Sequence, residues 1–142
     1  MLLKTKGKFA LLDANVVVAL LDKKDSLHEE AIKLIKRSKV EKYAILDVIL
    51  AESYSVIVRR CKERKYNCKK AVKALYDFEQ DLPVLSVDLE KYHENVVKNL
   101  KKIPELNYND WILILFAKNN GFDILTLDKK LKKEFEYERK GD

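Results

Sequence analysis

The sequence predicts an α/β domain, a central and mainly parallel sheet of four to five strands with helices on both faces. Three observations predict it. Short apolar runs, too brief for helices, alternate with longer amphipathic stretches along the whole chain. Helix-start residues such as Ser26, Asp47, Asn67, Asp88 and Asn107 stand ahead of the amphipathic stretches. The 142 residues, 47% of them hydrophobic, suit one domain over residues 1–142, with no repeat, low-complexity segment or linker.

The elements follow in order. Residues 8–13, KFALLD, read as a short buried strand, and residues 15–21 turn directly into a helix. Ser26 and Glu29 form a capping-box pattern ahead of HEEAIKLIKRS, where Leu27, Ala31, Leu34 and Ile35 make one apolar stripe. YAIL, residues 43–46, is the second strand, and Asp47 can cap a long helix from about 48 to 64. Asn67 can cap the next helix, with Ala71, Val72, Leu75 and Phe78 on one face. Pro83 opens a third strand, PVLSV, and Asp88 caps a helix to about Lys101. Asn107 begins a helix carrying WILILFAKNN, stopped by Gly121 at a C-cap position. DILTL, residues 123–127, is the fourth strand. The tail EFEYERKGD reads as a short edge strand or a frayed end.

Composition excludes more than it selects. Charged residues make up 37% and lean on Lys and Glu, a bias seen in heat-adapted proteins. The net charge of +6 suggests an anionic partner such as nucleic acid. Cys61 and Cys68 lack the spacing of a zinc pair, and are read as reduced thiols of a cytoplasmic protein. No apolar run reaches about 18 residues, so no membrane span is expected. The opening MLLKTKGKFALLD has no small-residue cleavage site, so no signal peptide is expected. With only Gly7, Gly121 and Gly141, there is no G-x-G-x-x-G turn and no P-loop. G-x-S-x-G and H-E-x-x-H are absent too. Chemistry is left to carboxylates, lysines, hydroxyls or a bound metal.

Four acids are candidates for one site. In a parallel α/β sheet, ligands bind beyond the carboxyl ends of the strands. Asp13 ends the first strand and Asp128 follows the fourth. Asp110 lies on the first turn of the WILILFA helix, whose start faces the same edge. Glu52 sits early in the helix after strand two, within the apolar run VILAESYSVIV. Taken singly, each has an ordinary reading: a strand-ending cap, a turn aspartate, a dipole-favoured first-turn acid and a helix glutamate. Together they would repel one another, and such clusters ordinarily exist to bind a divalent cation.

These motifs resemble the PIN-domain family, and within it the small VapC-like toxins. LLDANVVVALL is similar to the family's opening D-x-N/S motif, and VILAES to its helix glutamate. LNYNDWILILFAKNNGFDILTLDKKL resembles its closing D…A…G…D-I-L-T-x-D pattern. The resemblance covers residues 8 to 133. It implies a three-layer α/β/α, Rossmann-like fold and a metal-dependent endoribonuclease using Mg²⁺ or Mn²⁺. Carried over, Asp13, Glu52, Asp110 and Asp128 form the acidic, metal-holding site. Asn15 supports Asp13, and Thr126 lines the site. It further implies a water attacking phosphorus in line, a 5′-phosphate and 3′-hydroxyl product, a homodimer and an inhibiting antitoxin partner. Trp111 departs from the family's usual small residue, which predicts a narrowed entrance.

An acidic site needs basic surroundings to admit RNA. Candidates are Arg59 and Arg60 with Lys62, Arg64 and Lys65, then Lys98, Lys101 and Lys102, then Lys129 and Lys130 with Lys132 and Lys133. Each cluster also reads as a solvated helix face. Trp111 and Tyr108 could stack on a base, though packing is their commoner use. His28 and His93 read as capping or surface residues, since a lone histidine is a poor metal site. Rival readings are an RNA-processing nuclease with no toxin role, a non-catalytic RNA-binding or scaffold protein, and a receiver-like phosphoacceptor. The last wants paired acids at the first strand, and no acid adjoins Asp13.

Overall fold

The computed structural model describes residues 9–141. Lys8, expected in the first strand, and the N-terminal segment read for a leader lie outside the described residues. The chain runs β1 (Phe9–Leu12), α1 (Ala14–Leu21), α2 (His28–Arg37), β2 (Lys42–Leu46), α3 (Asp47–Arg64) and α4 (Cys68–Glu79). It continues through β3 (Val84–Leu85), α5 (Leu89–Lys102), α6 (Tyr108–Asn120), β4 (Asp123–Leu125) and α7 (Lys129–Lys140). The four strands form one sheet in the order β3-β2-β1-β4, and every pairing is parallel. Helices flank it in a three-layer α/β/α arrangement.

The central strands are buried on both faces. Ala10, Leu11 and Leu12 of β1 and Ala44, Ile45 and Leu46 of β2 are all core residues, which is why they read as continuous apolar runs. Valine is a weak helix former, yet α1 holds Val16, Val17 and Val18 because all three are buried. α6 is apolar nearly all round and accordingly buried, with Trp111 through Leu115 and Ala117 in the core. Gly121 ends it in the left-handed conformation at φ 72°.

Several expectations need correction. The tail is not an edge strand: Leu131 and Phe135, four apart, are buried and set the helical period of α7. The Ser26–Glu29 capping box does not form. α2 starts at His28, and the Asp25 carboxylate instead accepts the N–H of Leu27 while bonded to Arg60. Asp47 is the first residue of α3 rather than its cap. Its Oδ1 accepts from Val48 N (2.8 Å) and Val87 N (3.2 Å), tying β2 to the chain after β3. The third strand shrinks to Val84–Leu85.

The reduced thiols are also overturned. Cys61 and Cys68 form a disulfide with Cα atoms 5.4 Å apart. Lys65 ends α3 in the left-handed region at φ 58°, and the reversal sets the first residue of α4 beside the last turn of α3. Seven residues of spacing thus become bridging distance through a helix–turn–helix corner. Trp111 is fully buried, so its indole fills the core instead of narrowing an entrance or stacking on a base. Among the described residues, no helix is long and apolar enough to cross a membrane.

Candidate functional site

The sheet register assembles the site. β1 is central, between β2 and β4, and Leu12 pairs with Leu125. The ladder continues one step further, with Asp13 N–H donating to the Leu125 carbonyl at 3.0 Å. That step brings Asp13 level with Thr126 at the carboxyl edge. Thr126 Oγ1 donates to Asp13 Oδ2 at 2.7 Å, and Ala14 N–H donates to Asp13 Oδ1 at 2.8 Å. Asn15 Nδ2 lies 3.3 Å from both Asp13 Oδ2 and Thr126 Oγ1, while its Oδ1 accepts from Leu127 N. Thr126 Oγ1 also accepts from Asp128 N at 3.0 Å. Asp13 is therefore 5% exposed, oriented on both oxygens and clamped between two strand ends.

The other acids arrive from three helices. Asp110, half-buried in the first turn of α6, accepts from Asn107 N while Asn107 Oδ1 accepts from Asp110 N, a complete capping box. Asp128 caps α7, its Oδ1 accepting from Lys130 N and Leu131 N. Glu52, half-buried near the start of α3, has its Oε1 3.0 Å from Asn109 Nδ2 of α6. Asn109 did not stand out in the sequence, since an amide in a first helical turn looks like any polar surface residue.

The four carboxylates act on one another. Burial pushes Asp13 up to about 6; the bonds from Thr126 and Ala14 pull it down, and the charges of Asp110 and Glu52 push it up again. Burial also raises Asp110, against the Asn107 N–H bond, and Asp128 and Glu52 add to the rise. Asp110 thus couples electrostatically to the other three. A divalent cation would relieve that repulsion, and the donors are all carboxylate oxygens, the chemistry of a Mg²⁺ or Mn²⁺ site. Among the described residues, no three acids, histidines or cysteines are gathered into a ready-made cage. Mg²⁺ is ordinarily held by one or two carboxylates and several waters, and these donors fit that mode.

The basic candidates divide. Lys129 and Lys130 are exposed on the first turn of α7, immediately after Asp128. Arg59 is exposed on α3. Arg60 instead bonds Asp25 and stands 4.0 Å from Asp22, with Arg64 3.6 Å from the same Asp22. Tyr108 is half-buried, its hydroxyl 2.9 Å from His93 Nδ1. His28 Nδ1 lies 2.7 Å from the Ala19 carbonyl, linking α2 to α1.

No curated protein sequence matches this chain. Its fold is similar to that of VapC20 from Mycobacterium tuberculosis, described as a sarcin-ricin loop cleaving toxin. The TM-score is 0.72 and the identity 18%, over 88% of this chain and 94% of that one. It is similar to VapBC2 from Rickettsia felis, solved with a promoter DNA fragment, at TM-score 0.60 and 18% identity over 88% and 92%. PAE2754 from Pyrobaculum aerophilum aligns at TM-score 0.62 and 18% identity over 95% and 90%. The PIN domain family model matches residues 10–134, nearly the whole described chain, and this protein belongs to the PIN domain family.

Proposed function

We propose that this protein is a Mg²⁺- or Mn²⁺-dependent endoribonuclease, the toxin of a type II toxin–antitoxin pair. The observation that carries it is the electrostatic coupling of four carboxylates at the carboxyl edge of the sheet, in a chain that belongs to the PIN domain family. Likeness in fold to VapC20, itself described as a sarcin-ricin loop cleaving toxin, supports the toxin reading.

Asp13 and Asp110 would hold the principal ion, with Glu52 and Asp128 completing the site. The ion, when bound, supplies an activated water and charge stabilisation at the scissile phosphate. The chain's own residues prepare the place. Thr126, Ala14 and Asn15 fix the Asp13 carboxylate, so little side-chain freedom is lost when it engages a ligand. Asn107 fixes Asp110. Lys129 and Lys130 set positive charge beside Asp128, where an incoming phosphodiester backbone needs it. Arg59 is a second backbone contact on α3, and Arg60 reinforces that helix from its ion pair. An antitoxin would hold the enzyme inactive by placing a cationic side chain among the carboxylates, and a homodimer is the working form.

The test is cleavage of a structured RNA by purified protein with Mg²⁺, Mn²⁺ or EDTA, beside Asp13→Asn. Cleavage that needs the metal and disappears in the variant is the expected result. Equal cleavage by both proteins would remove Asp13 from the site.

A further inference from the structure

We infer that Asn109 is the positioning residue for Glu52, and that this amide sets how tightly the acidic site holds a divalent cation. The inference rests on the metal-binding reading of the site. Glu52 comes from α3 and Asn109 from α6, 57 residues apart, and Asn109 Nδ2 donates to Glu52 Oε1 at 3.0 Å. Asn109 directly precedes Asp110, so one helical turn both contributes an acid and orients another. A glutamate has three side-chain torsions, and leaving them free would cost entropy each time the carboxylate engages an ion. One bond to Oε1 removes much of that freedom.

The residue type suits the task. A lysine or arginine here would neutralise Glu52 and compete with the cation, and an aspartate would add to the repulsion already acting on Asp13 and Asp110. A neutral amide donates a hydrogen bond while leaving the negative charge in place. The neighbouring acids are held in the same way by uncharged donors: Thr126 and Asn15 on Asp13, and the Asn107 N–H on Asp110. Groups that orient metal ligands from behind ordinarily change affinity or activity by about 10- to 100-fold when removed.

A double-mutant cycle tests this, with Mn²⁺ binding to the full chain read by calorimetry or by the electron paramagnetic resonance of free Mn²⁺. The proteins are wild type, Asn109→Ala, Glu52→Ala and the double variant, with Asn109→Ser as a second removal of the amide. Melting of each metal-free protein reports the fold. Asn109→Ala and Asn109→Ser are expected to weaken Mn²⁺ binding about tenfold or more with melting unchanged. In the Glu52→Ala background the same Asn109 change is expected to have less than about a twofold effect. Wild-type binding retained by Asn109→Ala, or an equal loss in both backgrounds, would overturn the inference and leave the metal site standing. Failure of the folded wild type to bind Mn²⁺ would overturn the metal reading itself, and this inference with it.

Discussion

Asp13 bears two burdens that pull in opposite directions. It must be buried to be oriented, and burial disfavours its charge. With its carboxyl at about 6 in the fold and an ordinary value of 3.8, the folded state binds more protons than the unfolded one between about pH 4 and 6. Metal-free stability from this group therefore falls as pH rises through that window. Above it the full penalty is on the order of 3 kcal/mol. Asp13→Asn removes the charge, so the melting temperature of the variant minus that of wild type, in EDTA, should be several degrees higher at pH 7.5 than at pH 4.5. A difference that stays flat with pH would mean the carboxyl is not perturbed. Thr126→Val keeps the volume and deletes the 2.7 Å bond that lowers Asp13. The Asp13 carboxyl should then titrate higher still, and the pH needed for half-maximal cleavage should rise with it. An unmoved pH profile would show that Thr126 does not tune the acid.

At the scale of elements, the corner joining α3 to α4 carries the strongest covalent constraint. The bridge closes a short loop, and chain-entropy arguments give about 2–3 kcal/mol for a loop of this length. Reduction, or Cys61→Ser with Cys68→Ser, should lower the melting temperature by about 5–10 °C. No change would mean the corner is held by its packing alone. The same corner takes Arg60 and Arg64 onto Asp22 and Asp25, joining α3 to the segment between α1 and α2. At the far end of α6, Gly121 sits at φ 72° and an added Cβ would meet nothing within 4 Å. Gly121→Ala should therefore cost only the left-handed backbone, about 1 kcal/mol in chemical denaturation. A loss several times larger would reveal a packing role the geometry does not contain.

At the scale of the whole molecule, what was legible in the sequence is what repeats or punctuates. Apolar runs too short for helices marked β1, β2 and β4, and Gly121 marked the end of α6. The strand-end rule sent Asp13, Asp110, Asp128 and Glu52 to one edge, and the register of Leu12 with Leu125 puts Asp13 and Thr126 together there. What stayed hidden depended on individual contacts, some between distant segments and some around a local turn. Asn109 reaching Glu52, Asp25 serving both Leu27 and Arg60, and Cys61 meeting Cys68 around a left-handed Lys65 leave no periodic trace. Charge belongs to this scale as well. The chain carries +6 overall, yet its candidate site gathers negative charge, so on the proposed reading an RNA would need basic side chains near the acids to draw it in. Exposed Lys129 and Lys130 directly follow Asp128, whereas Arg60 is engaged by Asp25 and Asp22. Binding of a single-stranded RNA to the Asp13→Asn protein should weaken with salt, with a logarithmic slope of about −0.7 per phosphate contact. Lys129→Ala with Lys130→Ala should flatten that slope by about 1.4 and weaken binding at low salt. Arg60→Ala should leave the slope unchanged and lower the melting temperature, because its guanidinium ties α3 to the segment between α1 and α2. The reverse pattern, a slope that follows Arg60 and ignores the two lysines, would move the RNA path from the start of α7 to the face of α3.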